Sequence, residues 1–293
     1  MRRLILCVVL LCAAQVALAL PPYVLGTRLQ PSDLASQMAD VEKKLQAEGF
    51  VVVGRHTPKG LPDDGSVVVT DTAVLQALRS IGGSAIVAAG IRVGVRSDGT
   101  VSYMNPEYWY RAYLRGQFDA ARPAVQAVQS RLARALGSGA GFGGDVPAAD
   151  LADYRYMIGM EKFDSPRSEL RTHASFQDAV SAVRGNLARG VGGTSQVYEV
   201  VIPEREMAVF GVAMNDPEHG EGWWVSKIGA DNVAGLPYEV FIVGNKVYAL
   251  YARYRIALGW PALGMGQFMR IINAPSAIHD TLDRVAAAPT TTN

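Results

Sequence analysis

Apolar residues recur along this chain with two periods, one typical of helices and one typical of strands. The first helical face consists of Leu34, Met38, Val41 and Leu45. Ser32 is placed to cap the start of that helix and Gly49 to end it. Branched and aromatic residues then predict strands over 50–54 and 66–70, separated by a loop rich in glycine, proline and aspartate.

A tight turn follows at Asp98 and Gly99, because Asp-Gly between alternating apolar residues is a strong hairpin signal. The apolar stretch 85–96 before the turn is predicted to be a long buried strand, and the chain returns through a strand over 101–103. Since proline is tolerated in the first turn of a helix, Pro106 is expected to begin one. The buried face of a longer helix after it consists of Val125, Val128, Leu132 and Leu136.

The second half of the chain repeats this order of elements. Its helical face has the spacing of the first one at a constant offset of 142 residues, and consists of Phe176, Val180, Val183 and Leu187. A strand through Val240 comes 147 residues after the one through Val93, and a turn at Gly244 and Asn245 follows it. Matching order and turn position predict an internal duplication, and two unrelated α+β halves are the alternative.

The pattern predicts an α+β fold of two similar units, each an antiparallel sheet with helices packed on one face. We expect the units to share an interface. The expected segments are a signal peptide over 1–19, a first unit over 20–136, a glycine-rich linker and intervening segment over 137–174, a second unit over 175–287, and a disordered tail over 288–293.

The N-terminal segment has the order of a secretory signal peptide. Arg2 and Arg3 precede an apolar run, and small residues at 17 and 19 predict cleavage before Leu20. An uncleaved membrane anchor is the alternative, but the run is short for a bilayer core of roughly 30 Å. We therefore expect a periplasmic or secreted protein that does not span the membrane after the leader is removed.

Composition narrows the class of chemistry. Both cysteines, Cys7 and Cys12, lie in the predicted leader, so the mature chain is expected to lack disulfides, thiolate metal sites and a cysteine nucleophile. With 28 basic and 27 acidic residues and no charge run, we expect no nucleic-acid partner. The glycines of GSGAGFGG have a dinucleotide-binding spacing but follow a helix, so we expect a linker there and no cofactor.

Aromatic and arginine residues at the end of each half form the best candidate site. In the first half these are Tyr103, Asn105, Tyr108, Tyr110 and Arg111, and in the second half Tyr251, Arg253 and Arg255. Strand alternation would place the three residues of the second half on one sheet face, where two guanidiniums meet an anionic ligand. Packing of amphipathic aromatics in the core is the alternative.

Two further patterns suggest metal ligands. The loop 215–222 (NDPEHGEG) crowds carboxylates and a histidine, although a short polar run with proline and glycine between strands is usually a solvated hairpin loop. Methionines are paired at 157 and 160 and at 265 and 269, a ligand type that suits copper(I), although core filling is commoner. Neither pattern has the spacing of a known site, so we assign no metal.

The hairpin-to-helix stretch SDGTVSYMNPEYWYRAYL and the earlier VEKKLQAEGFVVVG resemble a widespread bacterial family of small α+β proteins classed as a domain of unknown function. The resemblance rests on Val41–Gly54, Val93–Tyr103 and Asn105–Tyr113. It covers mainly residues 32–116, with a weaker echo over 175–272. The family has no agreed activity, so the resemblance implies a fold and no chemistry. This chain departs from it by its leader and by joining two units.

These observations favour a non-enzymatic exported protein that binds a small or lipid-like ligand, or an envelope protein partner, through its aromatic surface. A hydrolase or isomerase with a dispersed site is one alternative, and it requires a carboxylate or histidine placed in a cleft. An envelope scaffold subunit is another, and it requires a contiguous exposed apolar patch.

Overall fold

The computed structural model describes residues 18–288 of the chain, so the predicted leader up to residue 17 and the predicted tail from residue 289 lie outside the described residues. The strands are β1 (Ala19–Leu20), β2 (Tyr23–Leu25), β3 (Val51–His56), β4 (Asp64–Thr70), β5 (Ile91–Arg96), β6 (Val101–Met104), β7 (Gly141–Phe142), β8 (Val146–Pro147), β9 (Glu169–Thr172), β10 (Thr194–Ile202), β11 (Met207–Met214), β12 (Tyr238–Val243) and β13 (Lys246–Tyr248). The helices are α1 (Leu34–Ala47), α2 (Thr72–Ile81), α3 (Pro106–Leu114), α4 (Phe118–Leu136), α5 (Phe176–Ala188), α6 (Glu221–Ile228), α7 (Ala252–Gly259), α8 (Met265–Met269) and α9 (Ala274–Ala286).

The predicted α+β class is confirmed, with helices packed on antiparallel sheets. The first large sheet has six strands in the order β3-β4-β5-β6-β2-β7, and the second has five in the order β10-β11-β12-β13-β9. Helix α1 packs on the first sheet and α5 on the second. Within the part of the chain that the structure describes, no helix has both the length and the apolar character needed to cross a membrane.

Local signals place most element ends. Helix α1 is capped by Asp33 rather than the expected Ser32, because the Asp33 carboxylate accepts a hydrogen bond from the Ser36 amide at 2.9 Å. Gly49 follows the helix with φ +82°, as predicted for a glycine that ends it. Helix α3 begins at Pro106, also as predicted.

The expected long strand over 85–96 is wrong in its first half. Gly83–Ala88 is a 3₁₀ helix, and only Ile91–Arg96 is a strand. The glycines at 82 and 83 both have positive φ, and they end α2 and turn the chain directly into the 3₁₀ helix. The apolar side chains that follow are buried against β11 and β12 of the other sheet, so tertiary contacts and not strand pairing explain their hydrophobicity.

The first sheet is completed by residues from both ends of its unit. Strand β2 lies between β6 and β7, and its residue Tyr23 is fully buried. Strand β7 comes from GSGAGFGG, so this glycine-rich stretch contributes to the sheet rather than serving only as a linker. Ala19 and Leu20 pair with β8, which places the predicted cleavage site within a short strand.

The two sheets contact each other through two 3₁₀ segments and a pair of edge strands. The 3₁₀ helix Gly83–Ala88 packs on β11 and β12, and the 3₁₀ segment Ala230–Gly235 packs on β4 and β5. Edge strands β3 and β10 also approach each other, and each has a register shift, near Val53 and Val197. A Cβ atom on Gly54 would lie 2.5 Å from the Val197 carbonyl oxygen, so this approach requires glycine.

Candidate ligand-binding site

A cleft opens over strands β12 and β13 of the second sheet, beside the C-terminal end of α3 and the 3₁₀ helix Gly83–Ala88. Its volume is about 290 Å³, which suits a small molecule. The first unit contributes Ser84 and Arg115, and strands β12 and β13 contribute Phe241 and Tyr248. Phe163, in the loop that leads to β9, forms another wall. The cleft therefore exists only when the two units and the segment between them are in place.

Two stacked aromatic rings give the cleft a flat apolar wall. Phe241 and Tyr248 are register partners on neighbouring strands, and their ring centroids lie 5.4 Å apart at an interplanar angle of 18°. Directly opposed residues project from the same face of a sheet, which is why the rings meet. Val243, two residues further along β12, extends the same face. Phe241 is only 2% exposed, so Tyr248, which is partly buried, is the ring of the pair that an apolar group can contact.

Arg115 lines the same cleft and has an unusual backbone conformation. It has φ 52° and ψ −127°, a region that favours glycine. Its guanidinium lies over the Phe163 ring, 4.5 Å from the centroid, and 3.4 Å from an Asp164 carboxylate oxygen. A non-glycine residue in this region costs of the order of 1–3 kcal/mol and is retained where the surroundings impose it.

Carboxylates and a tyrosine hydroxyl also line the cleft. Glu169 accepts a hydrogen bond from the Lys246 ammonium at 3.0 Å and lines the cleft together with Asp164. Burial raises the pKa of the Tyr248 hydroxyl, and the Glu169 carboxylate raises it further. Tyr248 therefore stays protonated at neutral pH and can donate a hydrogen bond.

The predicted site residues of the first half lie elsewhere, mostly in the core. The Tyr103 hydroxyl donates to the Gly137 carbonyl at 3.0 Å, and the Tyr108 hydroxyl to the Leu258 carbonyl at 2.9 Å. Tyr110 is fully buried. The Asn105 side chain donates to the Pro21 carbonyl at 2.8 Å, and Arg111 pairs with Glu107 on α3 and covers the Phe118 ring. These contacts order the N-terminal segment and α3, whose end carries Arg115.

The expected strand through Arg253 and Arg255 is wrong, since both residues lie on helix α7. Side chains two residues apart on a helix point about 200° apart, so the two guanidiniums diverge. Arg253 pairs with Glu161 near the surface, whereas Arg255 is buried. Tyr251 precedes the helix, and its ring lies under the Arg167 guanidinium at 4.2 Å.

Arg255 belongs to a buried group of charges between the two halves of the chain. Glu239 on β12 pairs with Arg92 on β5 and with Arg255, whose Nε lies 3.0 Å from a Glu239 oxygen. Both guanidiniums also lie near the Trp109 ring, 4.7 and 4.8 Å from its centroid. All four side chains are buried, so this cluster fixes the two units against each other.

The acidic loop 215–222 divides into two parts with different roles. Asp216 accepts hydrogen bonds from the amides of Glu218 and His219 at 2.8 Å, which is a local turn. Glu221 begins α6, is fully buried and pairs with His56 of the first unit at 2.7 Å. Among residues 18–288 no group of three or more histidine, cysteine or acidic side chains is arranged to hold a metal ion.

Sequence reasoning missed the cleft because its residues are scattered over 84–248 and none belongs to a motif. One signal was available in the sequence. Phe241 and Tyr248 are equally far from the turn at Gly244 and Asn245, so a hairpin places them opposite each other on neighbouring strands. Comparison with known proteins adds no further guide. No protein-family model matches the sequence, and no curated protein gives a significant match.

Proposed function

We propose that this chain is an exported, non-enzymatic protein that binds a small amphipathic molecule in the cleft between its two units. The observation that carries the proposal is Arg115, a non-glycine residue with φ 52° that lines the same cleft as a stacked aromatic pair. Backbone strain of this kind is concentrated at ligand-binding and active sites. Its cost is offset if the guanidinium is needed at that position.

The guanidinium has hydrogen-bonding capacity to spare. It has five N–H donors in a fixed fork, and its contact with Asp164 at 3.4 Å is long for a hydrogen bond. A ligand carboxylate can take up such donors in a two-bond arrangement. Stacking on Phe163 holds the guanidinium plane in place without using those donors.

The acidic groups in the cleft suggest that the ligand also carries a positively charged group. Asp164 and Glu169 can accept hydrogen bonds from an ammonium group, while Val243 and Tyr248 can cover an apolar side chain. A cleft of about 290 Å³ holds a molecule of amino-acid size. We therefore propose a zwitterion with an aromatic or branched apolar group as the ligand class.

Two similar units are part of the proposal. The first five strands in the order of the larger sheet correspond to the five of the smaller one, and β7 has no counterpart. The edge strands β3 and β10 both carry a register shift, and each unit packs a 3₁₀ segment on the other's sheet. These similarities support a tandem duplication of the small α+β domain that the sequence resembles. The residue that follows α7, where Arg115 follows α3, is Trp260, so a duplicated chain would carry the arginine once.

Binding of three related probes tests the function. Isothermal titration calorimetry of the full chain with L-phenylalanine, phenylacetate and phenethylamine separates the contributions of the two charges. We expect saturable binding that is strongest for the zwitterion, and Arg115→Gln to weaken it by about tenfold or more.

The matched control is Arg111→Gln on the same helix, because Arg111 also covers an aromatic ring and pairs with a carboxylate but lies outside the cleft. Its affinity should equal that of the unaltered chain. Absence of saturable binding to all three probes, or equal weakening by both substitutions, contradicts the proposal.

A further inference from the structure

Exposed apolar side chains are concentrated on two short segments of the chain. Among residues 18–288, seven large apolar side chains are exposed, and five of these lie either in the loop 154–160 or in 265–273, which comprises α8 and the turn after it. Burial is the rule for such side chains, so a group of exposed ones marks an interaction surface. The five residues, which are 47% to 90% exposed, are Met157, Ile158, Met265, Met269 and Ile272.

The two segments lie side by side. Met160 of the loop and Met265 of α8 line the same small pocket. The Tyr156 hydroxyl donates to the Leu263 carbonyl at 2.8 Å and so fixes the loop beside the start of α8. Met265 and Met269 are four residues apart on α8, which places them on the same side of the helix. The five exposed side chains therefore belong to adjoining parts of one surface, which we call the apolar face.

Arginine accompanies the exposed apolar residues on both segments. Arg155 is in the loop and Arg270 directly follows α8, and both side chains are exposed. Neither segment contains an acidic residue. The carboxylates on either side of the loop, Asp153 and Glu161, are both paired with basic side chains. The apolar face therefore presents positive charge beside its apolar side chains, which is complementary to anionic lipid headgroups.

The start of the described chain lies near this face. The carbonyl of Leu18, a residue that is 60% exposed, accepts a hydrogen bond from the Ala148 amide at 2.7 Å. Ala149 and Arg155 line one shallow cavity, so the chain runs from Ala148 directly to the apolar face. The sequence before Leu18 contains the apolar run of the predicted leader, LILCVVLLCAA. A chain held in a membrane by that run therefore has its apolar face close to the bilayer.

We propose that the apolar face binds the surface of a membrane that contains anionic lipids. Exposed apolar side chains insert at the boundary between headgroups and acyl chains, and arginine binds the headgroup phosphates. A second copy of the chain suits the face less well, because a two-fold interface would bring the arginines of both copies together without a carboxylate from either segment. This surface is separate from the cleft that Arg115 lines and does not depend on the ligand proposed for it.

Protection of methionine from peroxide tests the proposal on the full chain as it is purified after export. Peroxide oxidises exposed methionine to its sulfoxide, and peptide mass spectrometry locates the product. Vesicles of phosphatidylcholine mixed with phosphatidylglycerol should slow oxidation of Met157, Met265 and Met269 by about threefold or more, because the bilayer covers these side chains. Vesicles of phosphatidylcholine alone should slow it less, since they lack the anionic headgroups.

Val51→Met supplies an internal control at the opposite edge of the first sheet. Val51 is 53% exposed on the edge strand β3. The other edge strand, β7, leads to Gly143, whose carbonyl accepts from the Ala262 amide just before α8. Oxidation at position 51 should therefore be the same with and without vesicles. Equal protection at position 51, or no protection at the three methionines, overturns the proposal. Protection that rises with protein concentration in the absence of vesicles also overturns it, and assigns the face to a second copy.

Vesicle sedimentation of the same preparation, with its N-terminus determined by mass spectrometry, separates the apolar and charged contributions. Ile158→Glu should weaken binding by about tenfold or more, because Ile158 is 90% exposed and the substitution places a charge in the apolar face. Arg155→Gln combined with Arg270→Gln should weaken binding to anionic vesicles and make the remainder less sensitive to salt. Arg205→Gln is the control, since Arg205 is an exposed arginine in the turn between β10 and β11. Weakening by the control equal to that of the paired arginine substitutions overturns the assignment.

Discussion

The Nε2 atom of His56 lies 2.7 Å from a carboxylate oxygen of Glu221, and this contact joins the two units through side chains that are 3% and 0% exposed. The Glu221 carboxylate also accepts from the backbone amides of Met214 and Tyr238 at 3.4 Å. The hydrogen bond between these two buried side chains requires both of them. Removal of one partner leaves the other buried without its main hydrogen bond.

His56→Leu should therefore lower the free energy of unfolding by about 3 kcal/mol, because it leaves the Glu221 carboxylate buried without its side-chain partner. The control is His219→Leu, since His219 forms a solvent-exposed pair with Asp216 and should change stability by less than about 1 kcal/mol. Urea unfolding measures both. The doubly substituted His56→Leu, Glu221→Leu chain should recover part of the loss. Equal effects of the two histidine substitutions would show that the buried pair contributes no more to the free energy of unfolding than the exposed pair does.

Glu239→Gln should destabilise the fold by about 3–5 kcal/mol. The substitution keeps the shape of the side chain but leaves the Arg92 and Arg255 guanidiniums buried without a negative charge. Glu199→Gln is the control, because Glu199 pairs with Arg184, whose side chain is half exposed, and this pair should contribute about 1 kcal/mol or less. Urea unfolding followed by tryptophan fluorescence suits the test, since Trp109 lies beside both guanidiniums. A loss at Glu239 no larger than at Glu199 contradicts the inferred role of the cluster.

Arg115→Gly should be more stable than Arg115→Ala by about 1 kcal/mol, because glycine tolerates φ 52° and alanine does not. The opposite order is expected at Arg111, which lies inside α3, where glycine costs about 1 kcal/mol relative to alanine. Thermal or urea unfolding of the four variants gives the two differences. If alanine is more stable than glycine at both positions, the strained backbone at the end of α3 relaxes when the arginine is removed.

Stability should fall steeply above about pH 10. Burial raises the pKa of tyrosines that lie in the core, and these are Tyr23, Tyr103, Tyr108, Tyr110, Tyr113, Tyr154, Tyr198, Tyr238 and Tyr254. Because the unfolded chain ionises near pH 10 and the folded chain does not, the stabilisation is complete below that pH and is lost as the pH rises. Each such tyrosine lowers the free energy of unfolding by about 1.4 kcal/mol per pH unit there.

Phenolate absorbance measured alongside circular dichroism checks this. We expect most tyrosine to ionise together with unfolding, whereas Tyr248, which is only partly buried, ionises earlier. Ionisation of most tyrosines near pH 10 with the secondary structure intact would contradict the expectation.

Elements set by local signals were predictable from the sequence. The helix that begins at Pro106, the turn at Asp98 and Gly99 and the glycine that ends α1 each follow from the residue at that position. The stretch 85–96 was not, because the same apolar residues suit a buried strand and a 3₁₀ helix that is buried by another sheet. Only the second unit decides between these two structures.

The candidate site was less predictable than the fold. Arg115 occupies a conformation for which the sequence signal is glycine, so no pattern marks it. His56 and Glu221 are 165 residues apart, and neither has a neighbour that indicates the other. Arg253 and Arg255 have the spacing of a strand face, but the strand ends at Tyr248 and a helix follows. Each of these outcomes depends on contacts between the units rather than on neighbours in the chain.

The Tyr23 hydroxyl donates to the Gly259 carbonyl, across 236 positions of the chain. Strand β2 therefore reaches its final contacts only when the end of α7 is also in place. The first sheet also needs Phe142 beside Tyr23 before it is complete. Because contacts between residues far apart in sequence form late in folding, we expect β2 to be among the last strands to reach its final surroundings.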